Sequence, residues 1–452
     1  MEKVSRYLVV SESAYRAENG VRVRLAYATR RARLVVVDAP TGRALAAGDL
    51  DRISPAWLPV LREALAVVPA DADERDLTLA RNRKANSEPS RVHLSLLPTA
   101  YCNMGCSYCG QAHSRGGLGS NHRDQVRARV LRAITAADTR IARVDWFGAE
   151  PMIGYAVIRD LAPTFVAAAA ERDVTYQSCL VTNGSLLTAE KLDELIRRCG
   201  VTHVEVTVDG PPEVHDTHRP LKNGGSSFWK IVGTLREAVS EPAYRGTEFR
   251  FRTNVDRANQ ESISRYIDLM ARQGFQKPNV SFSIVPVHSW GNDVSNIEVS
   301  RRDFARTEIG WLRQLRANGL RFQVLPRIPS TVLCPATTRF SEIISSTGNI
   351  FSCSEYPLVP AAERTLTLTH LSRAGEEVGR PVGPFDDWHD DIATGKSWCT
   401  DCVLMPTCGG SCPKAWREGH PPCPSYKYNI QERLDLIAEE YGLTVEPLVG
   451  AE

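Results

Sequence analysis

Hydrophobic and polar positions change their period along this 452-residue chain, and the changes divide it into three parts. In the first, Tyr7–Val10, Val21–Tyr27 and Leu34–Val37 are rich in Val, Leu and Tyr and predict short strands. Val21, Val23 and Leu25 alternate with Arg22 and Arg24, the period of a half-buried strand. Helices are expected over Gly42–Ala47 and Pro55–Val67, the second with Ser54 as N-cap and Pro55 at its first position. Strands followed by helices within about 70 residues predict a small winged-helix-like domain over 1–90. Its last stretch, Ala70–Ser90, is polar and reads as a linker or exposed helix.

From Arg91 to about Pro286 strands and helices alternate. Strands are expected near Val92–Leu97, Val144–Phe147, Tyr176–Val181, His203–Asp209, Phe249–Val255 and Val280–Pro286. Helices fit at about 122–136, 155–170, 188–199, 227–240 and 259–273. This α/β pattern predicts a parallel sheet, either doubly wound or a partial barrel, in the segment 91–330. Ligands bind such sheets at the carboxyl ends of the strands. There stand Thr99-Ala100-Tyr101, Gly148-Ala149-Glu150, Thr182-Asn183-Gly184 and Asp209-Gly210-Pro211. Over 331–430 periodicity fades and Gly, Pro and Cys dominate, a stretch that needs staples in place of a large core. A final helix is expected at Ile430–Tyr441, within the C-terminal segment 431–452.

Composition narrows the class. Hydrophobic residues at 42% and charged residues at 24% exclude wholesale disorder. Lys+Arg of 55 against Asp+Glu of 53 leaves a net charge of +2, without the basic footprint of a nucleic-acid binder. No apolar run approaches the roughly 18–20 residues that cross a bilayer. The start, Met1-Glu2-Lys3-Val4-Ser5-Arg6, does not resemble a signal peptide, so the expectation is a cytoplasmic protein with no membrane segment. Disulfides rarely persist there, which makes the 12 cysteines candidates for metal binding.

The first constellation is Cys102-Asn103-Met104-Gly105-Cys106-Ser107-Tyr108-Cys109, directly after the first strand of the sheet. Three thiolates on one loop can hold three corners of a [4Fe–4S] cube and leave one iron open. Zinc is the alternative, with His113 as a fourth ligand in principle. With Tyr108 just before the third Cys, the loop resembles the radical S-adenosylmethionine (radical SAM) enzymes. The resemblance implies that the open iron chelates the amino and carboxylate groups of SAM. One electron then yields methionine and a 5′-deoxyadenosyl radical, which abstracts a substrate hydrogen. Gly148-Ala149-Glu150-Pro151 resembles the family's Gly-Gly-Glu-Pro loop, which meets the SAM amino group. Ala at the second position is harmless at φ < 0 and strained otherwise. Thr207 and Arg219 match positions that the sulfatase-maturase-like branch uses for the SAM ribose and carboxylate, and Arg suits a carboxylate by its bidentate fork. With Tyr108, Gly148, Ala149 and Glu150, they complete the implied SAM site.

The second constellation is Cys334, Gly348, Cys353, Cys399, Cys402, Cys408, Cys412 and Cys423. Spacing alone allows two metal sites, zinc knuckles included. Together with the upstream loop these residues resemble the SPASM domain, which holds two auxiliary [4Fe–4S] clusters. The resemblance implies Cys399, Cys402, Cys408 and Cys423 for the outer cluster and Cys334, Cys353 and Cys412 for the inner one, three clusters in all. Leu325–Ser330, where some members carry a fourth inner ligand, has no Cys, which predicts an open iron there. Cys179 and Cys199 read as core or capping residues.

The fold expected is a partial (β/α)6 TIM-like barrel between a winged-helix-like domain and a cysteine-rich iron–sulfur (SPASM) domain. The resemblance implies modification of a ribosomally made precursor peptide, most simply by oxidative C–C or thioether cross-linking. A flavodoxin or ferredoxin would serve as electron donor. Side-chain oxidation of a protein, as in sulfatase maturases, dehydrogenation of a small molecule, and a non-catalytic metal-stabilised adaptor are the alternatives. Glu355 is the candidate general base, with a salt-bridged structural carboxylate as its other reading. Val21–Tyr27, read as an exposed strand, could accept a leader peptide through main-chain hydrogen bonds, with Arg22, Arg24, Arg30, Arg31 and Arg33 suiting an acidic one. Alternatively it is a charged edge that discourages aggregation.

Overall fold

The computed structural model describes residues 1–446, and positions 447–452 of the expected C-terminal segment lie outside the described residues. The chain opens with strands β1 (Glu2–Val4), β2 (Leu8–Val10), β3 (Tyr15–Arg16), β4 (Arg22–Ala28) and β5 (Arg33–Asp38). Helix α1 (Ala39–Ala47) follows at once, because the Asp38 carboxylate caps it by accepting from the Thr41 N–H at 2.7 Å. The helix expected over Pro55–Val67 is shorter. It runs as a 3-10 turn and α2 (Leu58–Glu63), then stops where Leu65 turns to φ +58°. That turn frees β6 (Val67–Pro69) to pair antiparallel with β1. The polar stretch after it is a helix, α3 (Glu74–Ser87), capped by Asp73.

The expected exposed strand is central. β4 pairs with β5 on one side and with β2 and β3 on the other. Both its faces are buried, which its alternating Arg residues concealed. Ala26 and Ala28 pack with Val35, Val37, Leu45 and Leu61, while Val23, Leu25 and Tyr27 join a second cluster with Leu434 and Ala438. Among the described residues, β2, β5 and β16 of this sheet each pair on one side only.

The second part is built from β7 (Arg91–Leu96), α4 (Ser120–Thr135), β8 (Ile141–Trp146), α5 (Tyr155–Glu171), β9 (Thr175–Thr182), α6 (Ala189–Arg197) and β10 (His203–Thr207). It continues with α7 (Pro212–His218), α8 (Phe228–Ser240), β11 (Glu248–Val255), α9 (Ile263–Arg272) and β12 (Val280–Pro286). Strands β7 to β12 are parallel and neighbour one another in sequence order. A doubly wound sheet would reverse direction at a switch point. The unbroken order makes this a partial barrel-like sheet, and the face with Leu94, Trp146, Phe249, Phe251 and Phe282 packs against the flanking helices.

Helix α5, counted from Pro151, has the length and apolarity to cross a membrane by composition, contrary to the sequence expectation. In the fold, Val157, Ile158, Leu161, Ala162 and Phe165 are buried in the barrel core, which accounts for the apolar run. The periodicity also missed α10 (Arg301–Ala317), though Ser300 caps it and Phe304, Ile309, Leu312 and Leu315 line its buried face.

The cysteine-rich part is tied to the barrel by main-chain pairing. β13 (Ser341–Ile344) adds parallel to β7, and β14 (Asn349–Phe351) continues the sheet antiparallel to it. After α11 (Pro360–Leu366), β15 (Thr369–His370) pairs with β14. Short helices α12 (Trp388–Ala393), α13 (Met405–Cys408) and α14 (Pro413–Arg417) follow; Cys408 ends α13 and Cys412 caps α14, while the other cysteines of this part lie in turns and loops. Helix α15 (Ile430–Glu440) and β16 (Thr444–Val445) then return to the N-terminal sheet, where β16 pairs with β3.

One buried ion pair clamps α4 to β13. Arg129 binds Glu342 bidentately at 2.5 and 2.7 Å and also donates to the Gly379 carbonyl at 3.0 Å. Breaking such a pair strands a buried charge. Arg129→Met is expected to lower the unfolding free energy by about 3–5 kcal/mol in urea titrations, and the double variant Arg129→Met/Glu342→Met is expected to recover most of it.

Candidate active site

The chemistry-bearing residues gather at the carboxyl ends of the barrel strands. After β7 the chain turns into the loop that carries Cys102, Cys106 and Cys109. Cys102 is buried and the other two are half-buried. The Met104 N–H and the Asn183 amide both point at the Cys102 sulfur, at 3.5 and 3.8 Å. Lys222 donates to the Cys102 carbonyl at 2.9 Å and lies over the Tyr101 ring, pinning the loop from the turn after α7. Burial pushes the Cys102 thiol up to about 11 and raises Cys106 and Cys109 as well. Such thiols become thiolates only when a cation arrives to replace their protons. Among the described residues no group of three Cys, His, Asp or Glu side chains is drawn in to metal-binding distance, here or at the later cysteines. His113 is part of no such set.

The loop after β8 is strained. Ala149 sits at φ +49°, the left-handed region, and its N–H donates to the Gln111 side chain at 3.1 Å. Gly148 before it, at φ +81°, is obligatory, since a Cβ there would collide with Leu97. Glu150 turns inward and is fully buried. Its carboxylate accepts from the Thr182 hydroxyl at 2.6 Å and from the Asn183 and Met152 N–H groups at 2.7 and 2.9 Å. Burial raises its pKa against these bonds. Glu150 therefore locks the end of β8 to the end of β9. Thr207 is buried at the last position of β10.

Tyr108 and Arg219 meet. The Tyr108 hydroxyl donates to Asp209 at 2.7 Å and accepts from Asn254 at 3.0 Å and from Arg219 Nη1. Arg219 is buried, and Asp209 at 3.5 Å is its carboxylate partner. The Arg219 Nε has no hydrogen-bond partner, and neither does the Gln111 amide nitrogen, although both are buried. Two orphaned donors beside three thiols fit an anionic ligand.

The residues that sequence reasoning passed over complete a charged network. His218, next to Arg219 at the end of α7, bridges Asp209 at 3.1 Å and Asp256 at 2.9 Å. Burial alone would lower the His218 pKa, but the two carboxylates outweigh it and raise it to about 9. Burial would raise Asp209, but Arg219 and His218 outweigh it and hold Asp209 down at about 2. His215, three residues earlier, goes the other way. Burial and then the Arg219 charge push it down to about 4, and its neutral ring accepts from the Asp209 N–H. The strand-end tripeptides flagged Asn183 and Asp209, whereas Asp256 had no signal beyond following β11.

A segment after β12 joins the first loop to the cysteine-rich part. Trp290 stacks on Phe147 and donates from its indole to the Glu355 carbonyl at 3.1 Å. Asn292 donates to the Tyr108 carbonyl at 3.3 Å. Gly110 permits the contact, since a Cβ there would collide with the Trp290 carbonyl. The Glu355 carboxylate itself is held by His288 at 3.1 Å and Lys414 at 3.3 Å. Burial would raise its pKa, yet these partners hold it below the ordinary value. Glu355 is thus an ion-paired carboxylate and a weak base. Together with Ile284, Val287, Cys412 and Lys414 it lines a cleft of about 1630 Å³ between β12 and the cysteine-rich part.

The seven C-terminal cysteines fall into two groups. Cys399, Cys402, Cys408 and Cys423 line one small internal cavity. Burial pushes Cys399 to about 11 and Cys408 to about 12, with neighbouring thiolates of the group adding to both. Cys334, Cys353 and Cys412 form the second group. Burial pushes Cys334 to about 12 and Cys353 well up, and Cys412 adds to each. Cys179 and Cys199 are buried away from both, Cys199 in the barrel core.

Residues 96–242 match the Radical SAM superfamily. The chain carries a radical SAM domain. Over 356 residues it is 23% identical to a serine-type anaerobic sulfatase-maturating enzyme of Bacteroides thetaiotaomicron, spanning 70% of this chain and 80% of that protein. The solved structure of anSMEcpe with bound AdoMet and Cp18Cys peptide matches with a TM-score of 0.56 and 17% identity, covering 77% of this chain and 99% of that one. Streptococcus suis SuiB bound to precursor peptide SuiA matches over 94% of this chain and 99% of that one, with 14% identity and a TM-score of 0.48. The radical SAM domain covers the loop of Cys102, Cys106 and Cys109, the Gly148–Pro151 turn and the Asp209–Arg219 network.

Two outcomes follow for the metal-free radical SAM domain. His218 charges at about 9 in the fold against 6.5 when unfolded, so its stabilisation is complete below pH 6.5 and declines as pH rises towards 9. Between pH 6.5 and 8.5 the unfolding free energy is expected to fall by about 2–3 kcal/mol more in the wild type than in His218→Gln, read by urea titration at each pH. Ala149→Gly is expected to stabilise the chain by about 1 kcal/mol in the same assay, by removing the left-handed alanine.

Proposed function

We propose that this protein is a SPASM-type radical SAM enzyme that modifies a ribosomally made peptide, most simply by an oxidative C–C or thioether cross-link. The observation that carries a peptide rather than a small molecule is the cleft of about 1630 Å³. Pockets for small ligands enclose roughly 300–1,000 Å³. This cleft exceeds that, and although clusters on Cys402, Cys412 and Cys423 would fill part of it, its run along β12 and residues 288–302 suits a chain segment.

The residues fit the cofactors. Cys102, Cys106 and Cys109 would hold the SAM-binding cluster, with Tyr108, Gly148, Ala149, Glu150, Thr207 and Arg219 around SAM. Cys399, Cys402, Cys408 and Cys423 would hold an outer auxiliary cluster, and Cys334, Cys353 and Cys412 an inner one with an open iron. When bound, SAM and its cluster supply a 5′-deoxyadenosyl radical that takes one hydrogen atom from the substrate. Arg219 orients the SAM carboxylate, and the Trp290–Phe147 stack covers the site against water. Glu355, freed from His288 or Lys414, is the candidate for accepting the substrate proton, and the electron that the substrate radical gives up as the cross-link forms would pass to an auxiliary cluster. An external one-electron donor such as flavodoxin or ferredoxin supplies the reducing electron. In the N-terminal domain the free side of β5, flanked by Arg31 and Arg33, is where a leader peptide would add as a strand.

A second reading is single side-chain oxidation on a protein, favoured by the similarity to the sulfatase-maturating enzyme. Co-expression with peptides encoded beside the gene, followed by high-resolution mass spectrometry, separates the two. A cross-link is expected as loss of two hydrogens with fragmentation suppressed between two residues, and no reaction with a hydrazide. A hydrazide-reactive aldehyde would replace the cross-linking reading with the maturase one. Cys102→Ala is expected to abolish SAM cleavage in either case, and cleavage that persists in that variant counts against the whole assignment.

A further inference from the structure

We propose that His218 is a positioning residue: wedged between Asp209 and Asp256, it holds Asp209 off Arg219 and keeps the Arg219 fork free for the SAM carboxylate. This rests on the reading of Arg219 given above.

Asp209 is fully buried and is reached by two cations. His218 Nδ1 lies at 3.1 Å from Asp209 Oδ2, whereas Arg219 Nη1 stands at 3.5 Å from the same oxygen and makes one weak contact. An arginine beside a lone buried carboxylate closes into a two-pronged pair. Here it does not: Nη1 donates to the Tyr108 hydroxyl, which itself donates to the shared Asp209 oxygen at 2.7 Å, and Nε is left buried with no partner. The charge that competes with Arg219 for this oxygen is His218, and it is fixed from the far side of the imidazole. Asp256 Oδ2 holds His218 Nε2 at 2.9 Å, and the other Asp256 oxygen is fixed by the Ala258 and Asn259 N–H groups at 2.9 and 3.2 Å. With both nitrogens facing carboxylates, His218 is an imidazolium that cannot swing away. Two carboxylates and two cations balance in a site closed to water. Removing His218 would leave Arg219 as the remaining cation for Asp209 and draw its fork inward.

Two charge-balanced double variants distinguish this role from charge compensation alone. In His218→Gln/Asp256→Asn, Asp209 stays charged with only neutral partners besides Arg219 (the Tyr108 hydroxyl and the Asn254 N–H), and SAM affinity is expected to fall about tenfold or more. In His218→Gln/Asp209→Asn the carboxylate that would capture Arg219 is gone, and affinity is expected to stay within about threefold of wild type. SAM affinity is read by equilibrium dialysis on the cluster-reconstituted chain, and independently by the change in the electron paramagnetic resonance signal of the reduced cluster when SAM is added. Thermal melting of each metal-free variant reports folding. Wild-type affinity in the first variant, or a comparable loss in both, overturns the proposal, and either variant alone is decisive if the other does not fold. Arg219→Met in the same assay tests the underlying reading. If it binds SAM like wild type, Arg219 does not face SAM and both ideas fall. If it binds weakly while His218→Gln/Asp256→Asn binds normally, the His218 proposal alone falls.

Discussion

A guanidinium shut away from water must be balanced by local anions, and the strand ends of this barrel are organised around one. Arg219 draws Tyr108 and Asp209 to itself, and Asp209 in turn recruits Asn254, His218 and, through His218, Asp256. These residues come from the thiol loop, the end of β10, helix α7 and the end of β11. A single buried charge thus sets the relative heights of three loops. The neighbouring histidines show how local the control is, since His215 is held neutral and His218 charged within one turn of the same helix.

The three parts of the chain are joined by main chain as well as by side chains. β13 extends the barrel sheet into the cysteine-rich part, and β16 carries the C-terminal segment into the N-terminal sheet. The cysteine-rich part has only small apolar clusters, one around Phe351 and Tyr356 shared with Leu97 and Ala100 of the barrel and one around Trp388 and Met405 shared with Tyr7 and Leu79 of the N-terminal part. Burial raises the Cys334, Cys353, Cys399, Cys408 and Cys412 thiols, so occupied metal sites would contribute folding free energy where the core is thin. The Trp290 segment then couples that region to the first thiol loop through Phe147, Tyr108 and Glu355.

Much of this was legible in the residues. Strands β7 to β12 lie where alternation and turn residues put them, because buried parallel strands and amphipathic helices write their periods directly into the chain. The thiol loop was legible from the spacing of Cys102, Cys106 and Cys109 next to a strand. The same reading failed for β4, whose arginines suggested an edge while its alternate residues serve two cores. It also failed for α2, where Leu65 adopts a left-handed turn that no pattern announces.

Spacing and residue type determined the parallel α/β order, the cysteine loops and the motif ending in Arg219, since these depend on neighbours close along the chain. Only the tertiary structure decided that Glu150 turns inward, that Ala149 is strained and that His218 sits between Asp209 and Asp256. Each of these depends on residues far apart in sequence meeting at the ends of different strands. There burial and charge pairing, rather than local propensity, set the conformation and the protonation state.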